Sequence, residues 1–293
     1  MDYRDLKYFE VIAEECHMGR AAERLYKSQP ALTKCIHRIE EQLGAPLFAR
    51  VGRGIQLTSV GHALLIRARK LGQMMDDTTR EISDYASGKA GKIRLGCIPT
   101  LAEHILPPVC EDLLEEAANV TIELKVAMND GLHEGLRAGE LDIVLGPLLK
   151  TEEDFETEVI IQDQMVVMAR ANHPIFKKKR SLRTLLDYHW VLPAESVLSR
   201  QWLNNVFDRN HLPRPTVQIE PTVLNMILPL IERTNLLGFA SRLNFKSGHK
   251  ELKEFVLKET TMHRPMGVTY RRGVYLSPAT QRLIAILKRK YQS

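Results

Sequence analysis

Apolar residues between positions 3 and 16 fall at Leu6, Phe9 and Ala13, with Ile12 beside them, which is the spacing of one buried helix face. Residues 18–26 repeat the pattern with Met18, Ala21, Ala22 and Leu25, and the paired alanines allow another helix to approach closely. A third helix is predicted from Ser28, a good N-cap, with Pro30 in a first turn where its missing N–H is no loss. Leu32, Ile36, Ile39 and Leu43 make its stripe, Cys35 lies alongside, and Gly44 ends it. Only Tyr26 and Lys27 separate the second and third helices, the short connection of a helix-turn-helix. Leu47 and Phe48 then form an apolar plug, Gly52-Arg53-Gly54 a turn, and residues 55–58 an alternating strand. This is the pattern of a β-wing.

The period of three and four returns at Leu64, Leu65, Ala68, Leu71, Met75, Thr78, Ile82 and Tyr85, with no proline between 58 and 87. About 27 residues of helix span roughly 40 Å. One small winged domain cannot bury so long a stripe, so a dimerisation helix is expected, closed by a joint at residues 87–91. From Lys92 short apolar strands alternate with helices: strands at 93–96, 120–126, 141–146, 165–170, 190–193, 217–220 and 236–241, helices from 101 and over 131–139, and a last helix over 277–291. Such alternation predicts an α/β domain with a largely parallel sheet. The length of 293 residues accommodates two or three domains. They divide as 1–60, 61–91 and 92–293.

Charge sharpens the reading of the first segment. The net charge of +5 is only mildly basic, but residues 16–55 hold seven Lys or Arg against three Glu, while residues before Cys16 are acid-rich. The outward face of the third helix carries Ser28, Gln29, Pro30, Thr33, Lys34, His37 and Arg38, side-chain types suited to base edges and phosphates. Arg50 and the wing-tip Arg53 extend that set, with Arg53 placed for a minor groove. The run Lys177–Arg180 is expected to be a solvated loop.

Residues 28–61, SQPALTKCIHRIEEQLGAPLFARVGRGIQLTSVG, together with RAAERLY at 20–26, closely resemble the segment that identifies LysR-type transcriptional regulators. One departure is His17, where the family usually has a Ser capping the second helix, and a weaker cap is expected. The resemblance implies an overall α/β chain: an N-terminal winged helix-turn-helix, a long linker helix, and a two-lobed periplasmic-binding-protein-like effector domain. Lobe I would comprise about 92–163 and 267–293, and lobe II about 164–266. It implies sequence-specific binding to dyad operator sites, modulated by a small, anionic metabolite. The expected partners are double-stranded DNA, that effector, further copies of the chain as dimer or tetramer, and RNA polymerase. In such folds ligands bind beyond the carboxyl ends of strands, between lobes. That rule selects Thr100, Asn129, Gly146, Pro147, Ser196, Ser199, Thr222 and Asn225, with Phe239 as an apolar floor.

Rival functions have weaker support. No P-loop, GxSxG, HExxH or helix-opening GxGxxG occurs, and the ten histidines are dispersed, so neither an enzyme nor a bound metal or cofactor is expected. The start lacks a basic region followed by an apolar one, and no apolar run spans a membrane, so a cytoplasmic protein is expected rather than a secreted solute-binding protein. Four cysteines without a CxxC pair suit a reducing compartment. Cys16 and Cys35 read as small core residues. The closest alternative is a thiol-based redox-responsive regulator on the same scaffold, with Cys97 near the pocket mouth as the only candidate, since residues 164–266 contain no cysteine.

Overall fold

The structure is a computed structural model that describes all residues except Arg53, 88–90, 149–152, 223–225, 248–250 and Ser293. It divides into two compact units, Met1–Gly88 and Lys89–Ser293. Arg53, Asn225 and the centre of the expected joint lie outside the described residues.

In the first unit α1 (Tyr3–Glu15), α2 (Met18–Arg24) and α3 (Gln29–Leu43) precede a hairpin of β1 (Phe48–Val51) and β2 (Gly54–Leu57) and the 29-residue α4 (Ser59–Ser87). Leu6, Phe9, Ile12, Ala21, Ala22, Leu32, Ile36, Ile39 and Leu47 form one core with Ala68 of α4. The ends follow local chemistry. Asp2 and Asp5 form a reciprocal capping box on α1, Ser28 caps α3, and Gly44 closes it with φ of 68°. His17 caps α2 itself: its Nδ1 accepts the N–H groups of Gly19 and Arg20 at 3.1 and 3.3 Å. An imidazole acceptor thus replaces the hydroxyl whose absence was expected to weaken this end. Two core assignments change. Leu43, in the last residue of α3, is 42% exposed, and Cys16 is an exposed, left-handed C-cap of α1 rather than a core residue. Cys35 is buried as expected. Among the described residues, no helix is long and apolar enough to cross a membrane.

Along α4 the early stripe residues Leu64, Leu65 and Ala68 pack on this core, whereas Leu71, Met75 and Ile82 are 46%, 50% and 59% exposed. The 13-residue α1 packs along α4 and is too short to cover the whole of a 29-residue helix.

The second unit opens with β3 (Lys92–Cys97), α5 (Pro99–His104), α6 (Leu106–Glu116), β4 (Thr121–Val126), α7 (Asn129–Arg137) and β5 (Ile143–Pro147). A 16-residue strand, β6 (Phe155–Arg170), leads to α8 (Leu182–Leu185), β7 (Trp190–Val191), α9 (Leu198–Arg209), β8 (Val217–Ile219), α10 (Ile227–Arg233), β9 (Leu237–Ser241) and β10 (Leu252–Glu254). The long β11 (Met262–Arg271) returns, and α11 (Pro278–Tyr291) ends the fold. Strand order is β4-β3-β5-β11-β6-β9-β7-β8, with β10 also on β6. The expected parallel pairing holds for β3 with β4 and β5, and for β7 with β8 and β9. The centre is antiparallel instead, because β6 and β11 run against each other. The strand expected at 165–170 is therefore only the end of β6.

These two long strands join two lobes. Lobe I surrounds Ile93, Leu95, Val109, Leu132, Val144, Phe155, Val268 and Leu287. In lobe II the alternation of β6 supplies two faces. Met165, Val167 and Ala169 meet α8 and α9 on one side, and Val166 and Met168 meet α10 on the other. At the crossing Asp163, 3% exposed, accepts Arg264 Nε and Nη2 at 2.9 and 2.8 Å and the Ser241 hydroxyl at 2.6 Å. A register shift falls between Met266 and Gly267, where a Cβ would collide with the Glu158 carbonyl, so the strands can cross only with glycine at that position.

Candidate nucleic-acid interface and ligand cleft

The first site is the outer face of α3. Gln29, Pro30, Thr33, Lys34 and His37 line one shallow concavity, and all five are exposed. They line up because the apolar residues of α3 occupy the opposite face. The Thr33 hydroxyl donates to the Gln29 carbonyl at 3.1 Å, which fixes its rotamer. Ser28 is exposed as well, but its hydroxyl is engaged as the cap, accepting the Ala31 N–H at 3.4 Å.

The tertiary structure thins the cationic set. Arg20 and Arg24 turn back to Glu15 and to Glu14 and Glu15, and Arg38 pairs with buried Asp5. Arg38 thereby ties α3 to α1, while about half of its side chain stays exposed on the outer face. Burial pushes the Asp5 carboxyl up, but the Asp2 backbone N–H, Arg38 and the Cys35 thiol outweigh it and hold it below its ordinary value. Lys27, Lys34 and the exposed Arg50 of β1 make no ion pair among the described residues. Tyr26, in the turn between α2 and α3, is 93% exposed with φ of 51° and was not put forward as a DNA contact from the sequence. An aromatic between two helices, outside either apolar stripe, was the available signal.

The second site lies at the carboxyl ends of parallel strands. In lobe I these ends lead to Thr100 in the first turn of α5, to Asn129 at the start of α7, and to Gly146-Pro147 at the end of β5. Helix α7 starts two residues earlier than predicted, which places Asn129 in its first turn. Asn129 is 8% exposed, and neither Nδ2 nor Oδ1 has a hydrogen-bond partner among the described residues. A Cβ on Gly146 would stand 3.0 Å from Asn129 Oδ1 and 3.4 Å from Ile98, so glycine lets the amide lie directly over β5. Thr100 and Pro147 are half-buried beside them.

In lobe II, Ser199 is buried in the first turn of α9, after β7, while Ser196 and Thr222 are exposed, beyond β7 and β8. Phe239 does not form a floor open to ligand. It is 3% exposed, points into the lobe core from β9, and stacks on Trp202 with centroids 5.8 Å apart. Arg200 and Asn204, both buried on α9, were missed in the sequence. The signal was present: Arg200 occupies the i position of the stripe completed by Leu203 and Phe207, and a charged residue on a buried stripe requires a reason. A groove lined by Tyr188, His189, Gln218 and Asn235 lies at the opposite, amino-terminal ends of β7 and β9. Asn235 there is already bonded to Arg170 and His173, so the groove offers less unspent polarity.

Cys97 does not lie at a pocket mouth. It is fully buried at the end of β3, and burial, with the nearby Cys110 thiol adding to it, pushes its thiol up to about 12. That removes the basis for a reactive thiolate at this position.

Fold and surface define a class: a winged helix-turn-helix DNA-binding regulator coupled in one chain to a two-lobed α/β ligand-binding-type domain. Residues 3–62 match the bacterial regulatory helix-turn-helix protein, lysR family, and residues 86–292 match the LysR substrate binding domain. The chain belongs to the LysR-type transcriptional regulators. It is 29% identical to the HTH-type transcriptional regulator GalR of Pseudomonas putida over 97% of this chain and 73% of that protein. It is 28% identical to the HTH-type transcriptional regulator PcaQ of Agrobacterium fabrum over 74% of this chain and 71% of that protein. Among solved structures, full-length CbnR complexed with its target DNA superposes with a TM-score of 0.66 at 22% identity, covering 99% of each chain. A point variant of full-length OxyR from Pseudomonas aeruginosa gives 0.65 at 23% identity, covering 98% of each. The fold they share is that of the whole chain.

Proposed function

We propose that this regulator reads a dyad operator as a homo-oligomer, with α3 in the major groove, and that a small anionic metabolite bound between its lobes changes that activity. Gln29, Pro30, Thr33, Lys34 and His37 supply the base and phosphate contacts, and Arg50 and Arg53 of the wing add backbone charge. The Lys34 amine, which makes no ion pair among the described residues and lies on an exposed polar face, supports this half. That CbnR has been crystallised with target DNA on the same fold agrees with it. A dimer on a dyad follows because protein two-fold symmetry is mirrored in DNA half-sites. RNA polymerase is the further partner of a regulator so placed.

The effector half rests on Asn129. A buried amide with no partner is costly, and one at the carboxyl end of a parallel sheet is where a ligand supplies the missing bonds. Thr100, Gly146, Pro147, Ser196, Ser199 and Thr222 belong to the same set of strand ends, and Asn225 follows Thr222 in sequence. Regulation requires the effector to bind two arrangements of the assembly unequally, with a coupling of about 1–3 kcal/mol. The crossing of β6 and β11 supplies a movable element between lobes. The test begins with sequencing DNA fragments captured by the purified protein, since flanking genes name the pathway and its metabolites. Asn129→Ala should then reduce effector response while leaving effector-free operator binding intact. Unchanged response in Asn129→Ala, Thr100→Val and Ser199→Ala alike would move the pocket elsewhere.

A further inference from the structure

Lobe II contains a buried cation that makes no hydrogen bond or ion pair among the described residues. Helix α9 packs Leu203 and Phe207 into the core, and on the same face Arg200 and Asn204, one turn apart, are 4% and 5% exposed. Nε and Nη1 of Arg200 are fully covered and have no hydrogen-bond partner among the described residues, and the same holds for Asn204 Oδ1. Glu195 and Glu220 act on the guanidinium only at a distance, as does Arg214. Burial meanwhile works against its charge and lowers its pKa.

A buried charge without a partner is strongly unfavourable, and native folds leave few such groups unexplained. Position suggests the explanation. Arg200 follows Ser199 in the first turn of α9, beyond the carboxyl end of β7, and Glu220 directly follows β8. Arg200 therefore sits on the helix that starts at the strand ends where the effector is placed above. Its planar fork matches the two oxygens of a carboxylate. The flanking Glu195 and Glu220 favour a singly charged group over a doubly charged phosphate, which they would repel more strongly.

We propose that Arg200 is the anchor for a carboxylate on the effector, and that Asn204 Oδ1 accepts from a hydrogen-bond donor next to that carboxylate. A 2-hydroxycarboxylate is the simplest molecule with both features. This rests on the reading that the effector binds between the lobes.

Lactate and inorganic phosphate, at matched ionic strength, serve as probes of the full chain. Thermal unfolding and calorimetry are read for wild type, Arg200→Met, Arg200→Lys and Asn129→Ala. In carboxylate-free buffer Arg200→Met should melt at or above wild type, because an unpaired charge has been removed. Lactate should raise the wild-type melting temperature saturably, phosphate should not, and Arg200→Met should not respond. Arg200→Lys, which keeps the charge without the fork, should bind lactate about tenfold more weakly or worse. A lower melting temperature for Arg200→Met in carboxylate-free buffer would show that the chain pairs Arg200 itself and would overturn the proposal. So would a lactate response equal in wild type and Arg200→Met, including none in either. A phosphate response matching lactate would overturn the carboxylate assignment. Loss of response in Asn129→Ala but not in Arg200→Met would leave the inter-lobe site standing and remove Arg200 from it. The reverse would leave an Arg200 site and remove the inter-lobe reading.

Discussion

Leu71→Asp tests whether the outer half of α4 is a contact between chains. Leu71, Met75 and Ile82 are 46%, 50% and 59% exposed in the single chain and recur at four and seven along one stripe. Fully burying such a side chain is worth roughly 1.5–3 kcal/mol, so covering the remaining half of each yields roughly 1 kcal/mol per residue. Three residues on each of two helices give roughly 6 kcal/mol, comparable to the lower estimates of the cost of association. If the stripe is a seam, it would supply a large share of the driving force. Leu71→Asp removes about 1 kcal/mol per copy and places a carboxylate in the seam, whose desolvation costs several kcal/mol more. Two-fold symmetry applies the loss twice. Even with only about 1 kcal/mol of desolvation per carboxylate the total is about 4 kcal/mol, which corresponds to a dimer weaker by about a thousandfold or more. Sedimentation velocity over a concentration series measures it, with circular dichroism to verify that α4 persists. Ser83→Asp, exposed and off the stripe, controls for added charge. Leu71→Ala should weaken the dimer only modestly. If Leu71→Asp sediments like wild type and Ser83→Asp at every concentration, the stripe is not a seam and the reasoning fails.

Lys34→Ala should weaken operator binding by about 1–3 kcal/mol and flatten its salt dependence, measured by fluorescence anisotropy at several salt concentrations. Equal affinity and slope would mean that α3 presents another face to DNA. His17→Ala should destabilise the first unit by about 1 kcal/mol in denaturant unfolding, and His17→Ser should restore it, because the imidazole accepts two N–H groups at the start of α2. With its thiol held up to about 12, Cys97 stays protonated at pH 7.5 and gains thiolate only as pH approaches that value. Aromatic disulfide reagents should therefore label exposed Cys16 and spare Cys97 in the native protein, and mass spectrometry of labelled peptides would reveal the opposite.

Legible in the sequence were the helices of the first unit, its wing, and strands β3 to β5 and β7 to β9, whereas β10, β11 and the first ten residues of β6 were not. Ser28, Pro30 and Gly44 mark the ends of α3 because caps and turn residues act within a few positions, and the stripe of α4 gives its length because helical periodicity is also local. The resemblance at 20–61 carried the class of protein. The tertiary structure decided which side chains were already engaged. Arg38 looked like its neighbours on the outer face of α3 until Asp5, 33 positions away, held it against α1. Phe239 alternated correctly for a strand, but only the packing of α9 placed Trp202 over it. Cys97 was expected just after a strand at 93–96 and instead ends that strand, and its reactivity depended on complete burial in the lobe I core. Arg200 shows the converse, since its charge was legible in the chain while its lack of a partner among the described residues was not. The physical reason is common to all four. Propensity and periodicity are short-range, whereas the availability of a charge, thiol or ring for function depends on desolvation and pairing across residues distant in sequence, which only the folded chain brings together.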